Sequence, residues 1–307
     1  MTLEAISGAA AVALAVAAAF LLLSLPAHWL LRSRRPSSRF AAAIMPEPAQ
    51  RFRDALAALH RRQRLIAGGA LAFAAAFAAG MLLMPRVRPD ILPAWLGIVL
   101  AGLAAAAVAA ALVFLVRGAV AMHGLRFVRD AGIAVGQGLL KLTGERNRVF
   151  HEVPCGNWVL DNLVVGLHGI YAVFVVARRP GRHNRLRLQG DQLLFAPGRH
   201  RLPLAPYFER CELLARELGK AVGLALRVRP VIAVPGWEIE HQAGDACLVV
   251  NERNLVMLRG WKDSREYLMH EDVERLHQVL ADRCLRFGRD PGRAPVSFRP
   301  AVEAARA

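Results

Sequence analysis

The chain has 307 residues, 55% of them apolar, with 40 basic and 24 acidic side chains and a formal charge of +16. That apolar content excludes an intrinsically disordered chain, and so many charges exclude a bundle buried throughout in lipid. At about 150 residues per domain the length suits about two domains.

Almost every long apolar run lies before residue 123, and this divides the chain into a membrane domain, 1–122, and a soluble domain, 123–288. Residues 1–122 hold 12 arginines, no lysine and 4 acids. Only Lys141, Lys220 and Lys262 are lysines, so arginine is the general cation of this chain and the charge alone names no partner. Crossing a bilayer takes about 20 apolar residues. Three segments qualify, at about 5–25, 65–84 and 91–116, and none holds an internal charge. Glu4 in the short head of the first argues against a cleaved signal peptide.

Arginines set the orientation. Nine of them, Arg32 to Arg64, lie between the first two spans, against Arg86 and Arg88 in the next turn. The positive-inside rule then predicts an inner-membrane, multi-pass protein with its N-terminus outside and everything after Arg117 in the cytoplasm. Within the 32–64 loop, Phe52, Leu56 and Leu59 fall at helical spacing among arginines, which predicts a basic amphipathic helix on the inner leaflet.

The second domain reads as α/β. Leu125–Leu142 has helical spacing, and Arg148–Val153 alternates like a strand. Trp158–Val165 and Ile170–Val176 are strands joined through Gly166-Leu167-His168-Gly169. Leu186–Leu188 and Gln192–Phe195 flank a Gly190-Asp191 turn. Tyr207–Val222 is an amphipathic helix with Cys211, Leu214, Leu218 and Val222 on one face. Val228–Val234 and Cys247–Val250 are strands, Glu271–Leu285 is a helix with His277 on its surface, and 289–307 is a loose tail. Cys155, Cys211, Cys247 and Cys284 form no CxxC pair and suggest neither a zinc site nor a disulfide framework.

The order of these elements, with Val159-Leu160-Asp161-Asn162-Leu163-Val164-Val165-Gly166-Leu167-His168-Gly169-Ile170, then Gly181-Arg182, the following helix and the Arg229-Pro230-Val231 strand, resembles the nuclease-related (NERD) domain family over about residues 130–260. The resemblance implies a restriction-endonuclease-like fold in the second domain, attached to the three N-terminal transmembrane helices. It also implies a nuclease site in which an Asp and a second acid hold Mg²⁺ or Mn²⁺ through oxygen ligands. Asp161 matches the first ligand. The second acid and its companion Lys belong on the strand after Gly169, where Phe174, Val175, Val176 and Ala177 stand instead, and the first-helix Glu falls on Ile133.

The expectation is therefore a pseudoenzyme with no metal and no cofactor, in which Asp161 is a remnant or simply a turn residue. Arg178, Arg179, Arg182 and Arg185 are the candidate phosphate-binding residues for a nucleic-acid partner, and a protein partner and the lipid bilayer are the other expected contacts. Two rivals stay open. One is a divergent metal-dependent nuclease, using Asp161 with Glu152 or Glu145. The other is a membrane-surface structural protein. His270-Glu271 lacks the second His of a zinc-protease helix, and Gly132-x-x-x-Gly136-x-Gly138 is too irregular for a phosphate loop.

Overall fold

The structure is a computed structural model and describes residues 45–83, 94–144, 147–196, 200–240, 246–259, 261 and 267–289. The expected first span, most of the 32–64 loop, Glu145 and the tail beyond Arg289 lie outside these residues. The chain divides into two units, and of the described residues 55–83 and 94–123 belong to the first and the remainder to the second.

The first unit consists of most of α1 (Gln50–Leu83) and of residues 94–123 of α2 (Ala94–Leu140), each one unbroken helix. Two expectations change here. The basic segment before Arg64 is not a separate surface helix, because α1 runs on from it into the apolar Leu65–Leu83 stretch. Likewise the third expected span and the Leu125–Leu142 helix are one element. Gly118 and Gly124 look like breaks in the sequence, but a single helical Gly costs only about 1 kcal/mol relative to Ala. Among the described residues one helix is long and apolar enough to cross a membrane, Gly102–Leu140 of α2, an 18-residue stretch of it having a mean hydropathy of 2.2.

The second unit is mixed α/β, with two mixed sheets. Strands β1 (Asn147–Cys155), β2 (Trp158–Gly166), β3 (Gly169–Val175), β7 (Val228–Ala233) and β9 (Leu248–Val250) form a sheet in the order β1-β2-β3-β7-β9. The first two pairings are antiparallel and the last two parallel. A second sheet, β6-β5-β4-β8, joins β4 (Arg185–Gln189), β5 (Gln192–Phe195), β6 (His200–Pro203) and β8 (Glu238–Ile239).

The five-stranded sheet is covered on both faces, which is why β2 and β3 read as near-continuous apolar runs. On one face lie α3 (Ala205–Val222), through Tyr207, Cys211, Leu214 and Leu218, and α4 (His270–Arg289), through Val273, Leu276, Leu280 and Cys284. On the other lies the end of α2, through Val128, Ala131, Val135 and Leu139. All four cysteines are free and buried. His277 is also buried, against Phe150 at 5.9 Å, and not on the surface as expected. Burial, and the nearby Arg148 charge, lower its pKa.

Candidate functional site

Asp161 stands in the middle of β2, not at a turn. The β1–β2 register pairs His151 with Asn162 and Val153 with Leu160, so Glu152 is the residue directly opposite Asp161. Glu152 has φ +53, the left-handed region that a side chain rarely adopts. On β2 the consecutive residues Asp161 and Asn162 both line one small cavity together with Glu152, Val128, Gly132 and Val175. Regular alternation would send one of them to the opposite face.

Directly opposed like charges destabilise a sheet. Here a cation reaches both. Arg51 pairs through Nη2 with Asp161 Oδ1, and its Nε lies 3.6 Å from Glu152 Oε1. Its Nη1 also donates to the Val159 carbonyl at 3.3 Å. The other Asp161 oxygen accepts the Val175 backbone N–H at 2.8 Å. The neighbouring pair is held separately, with His151 Nδ1 2.6 Å from Asn162 Oδ1.

Burial dominates the titration of both acids. It pushes Glu152 from 4.5 up to about 8, against the opposing pull of Arg51, so Glu152 is mostly protonated at neutral pH. It also raises Asp161, while Arg51, the Val175 N–H and Arg210 act to lower it.

Segment 45–54 carries Arg51 into place, and α2 is shaped to receive that segment. A Cβ on Gly136 would come within 2.5 Å of Pro48 Cβ, and one on Gly132 within 2.9 Å of Ala49 Cβ. These glycines, which form no phosphate loop, clear the path of a strap. Phe52, next to Arg51, packs on the core between α2 and the sheet. In the sequence Arg51 is only one of the arginines that set the topology. Its partner Asp161 is 110 positions away, and no local pattern links the two.

The expectation of a solitary acid is thus corrected. Glu152 supplies a second carboxylate, from β1 rather than from the strand after Gly169. That strand does place Val175 beside Asp161, and all of its residues are buried. A divalent cation needs accessible, ionised oxygen ligands. The guanidinium, paired with Asp161 and with its Nε 3.6 Å from Glu152, takes the position between the two carboxylates that such a cation would need. Among the described residues no three His, Cys, Asp or Glu side chains gather to hold a metal ion.

The four candidate phosphate-binding arginines are differently engaged. Arg178 lies over the Phe195 ring at 4.9 Å, and its backbone carbonyl accepts the Trp237 Nε1–H at 2.9 Å. Arg179 lies over Phe127 at 5.8 Å. Arg185 is 3.9 Å from Glu240, which Arg187 contacts more closely at 2.9 Å. Arg182 is exposed.

Comparisons with family models, with curated proteins and with solved structures gave no match to this chain.

Proposed function

We propose that this chain is a membrane-anchored, nuclease-related module that binds nucleic acid at the inner membrane and does not cleave it. The carrying observation is the Arg51 guanidinium, bound between two directly opposed acids at the place where a hydrolytic cation would have to sit. An arginine cannot generate hydroxide from a bound water as a divalent metal does. The element order also supports kinship with restriction-endonuclease-like proteins. A helix is followed by the three strands β1–β3, with Asp161 on the second, then by β4–β6 of the second sheet, a helix and the strand β7. Arg178, Arg179 and Arg182, just after β3, are the residues offered to phosphates. The cytoplasmic placement of this unit, with the N-terminus outside, rests on the arginine distribution.

The rival nuclease reading gains one point from the geometry, since Glu152 lies opposite Asp161. The assay separating the readings uses the purified full chain with labelled DNA and RNA, with and without Mg²⁺ or Mn²⁺, beside Asp161→Ala. Salt-sensitive retention without cleavage, weakened in an R178Q/R179Q/R182Q variant, is the expected result. Metal-dependent cleavage lost in Asp161→Ala establishes the nuclease. Neither binding nor cleavage leaves the membrane-surface structural role.

A further inference from the structure

In the first unit, the Gln63 side chain of α1 donates through Nε2 to the Leu115 carbonyl of α2 at 3.1 Å. Gly118 makes the room, because a Cβ there would lie 2.2 Å from Gln63 Nε2. Gln63 lies almost as far before the end of α1 as Leu115 lies past the start of α2, so the contact joins the two helices at matching distances from Leu83 and Ala94.

The same contact aligns their charge. On α1, Arg61, Arg62 and Arg64 immediately precede the uncharged stretch 65–83, and on α2 Arg117 immediately follows the uncharged stretch 94–116. At about 1.5 Å per residue these stretches are about 28 and about 34 Å long, close to the hydrocarbon thickness of a bilayer, about 30 Å. Successive helical residues turn by about 100°, so Arg62 and Arg64 flank Gln63 on either side while Arg117 flanks Gly118. Arg61, Arg62, Arg64 and Arg117 are exposed, and neither 55–83 nor 94–123 contains an acidic residue to neutralise them. Next to them, on the apolar side of that level, Leu65, Leu112, Val113, Phe114 and Val116 are exposed as well.

We infer that Arg62, Arg64 and Arg117, brought to one level by the Gln63–Leu115 contact, form a binding site for the headgroups of anionic phospholipids. The inference rests on the membrane-anchored reading. A phospholipid satisfies both halves of this surface at once, its phosphate meeting the arginines and its acyl chains lying along the exposed Leu65 and Leu112–Val116 side chains. A soluble phosphate satisfies only the first. An arginine at an anionic surface strengthens attachment by about five-fold, and three act together for about a hundred-fold.

The test uses the full chain in detergent, titrated with phosphatidylglycerol and with phosphatidylcholine and read by native mass spectrometry of bound lipid. The same preparations are reconstituted into phosphatidylcholine vesicles and extracted with alkaline carbonate. The expected result is a preference for phosphatidylglycerol that falls about a hundred-fold in R62Q/R64Q/R117Q and is unchanged in R178Q/R179Q/R182Q. Carbonate-resistant insertion is retained by both variants, which shows that the triple change leaves the helices intact. A protein that inserts but does not distinguish the two lipids overturns this inference alone. A protein released by carbonate from every vesicle overturns the membrane-anchored reading and this inference with it. Displacement of bound lipid by equimolar inorganic phosphate makes the site one for free phosphate and also overturns the inference.

Discussion

Replacing Glu152 by Gln tests the energetic heart of the site. Burial raises this carboxyl from 4.5 to about 8 in the folded chain, and only 5% of its side chain is exposed, so solvent screens the effect little. The folded state therefore holds the proton to a higher pH than the unfolded state does. The stability tied to this proton is fully present below about pH 4.5 and is lost as pH rises to about 8, since unfolding then releases the carboxyl to ionise in water. At about 1.36 kcal/mol per pH unit the loss across that window is on the order of 5 kcal/mol. Glutamine keeps the shape and the left-handed backbone position and cannot ionise. Urea unfolding of the full chain at pH 5, 6, 7, 8 and 9 is expected to show wild type losing stability relative to Glu152→Gln at each step, the difference levelling off above pH 8. Parallel stability profiles for the two proteins would refute the burial argument.

Three further predictions concern Arg51, Gly219 and the buried thiols. Arg51→Ala leaves Asp161 without its cation. Removing one partner of a buried pair costs about 3–5 kcal/mol, and with 22% of the Arg51 side chain exposed the unfolding assay is expected to show the lower end of that range. The R51M/E152Q/D161N variant is expected to recover most of the loss, because no charge is left unpaired. Gly219→Ala drives a Cβ to 2.6 Å from the Leu224 carbonyl oxygen, a backbone atom with little freedom to give way, and is expected to lower stability by about 1–3 kcal/mol in the same assay. Burial holds the four thiols up at about 11 to about 12, so iodoacetamide at pH 8 is expected to leave all four unmodified in the native chain and to alkylate all four in denaturant, as read by mass spectrometry.

The sequence made the central sheet legible because its strands are long, β-branched and bounded by glycine turns. Gln192–Phe195 is found as expected, and the Gly166–Gly169 hairpin closes where its glycines predict. Strands β6 and β8 escaped notice for a physical reason. His200–Pro203 shows no buried residue and Glu238–Ile239 is two residues long, so neither carries a hydrophobic pattern, and each exists only because a neighbouring strand pairs with it. In the site, Asp161 was legible from its apolar frame and Glu152 as one of two carboxylates that could join it, whereas the role of Arg51 was not. Glu152 faces Asp161 through an unusual φ, and Arg51 arrives on a strap whose groove is made by glycines that sequence spacing alone presents as a failed phosphate motif.

The account depends on the guanidinium keeping divalent metal from the Glu152–Asp161 pair. Titration of the full chain into Mn²⁺ at pH 7, followed by the free-ion electron paramagnetic resonance signal, measures this directly. The account predicts that wild type and Asp161→Asn leave the signal equally undiminished. Uptake of one Mn²⁺ per wild-type chain, abolished by Asp161→Asn, would contradict it.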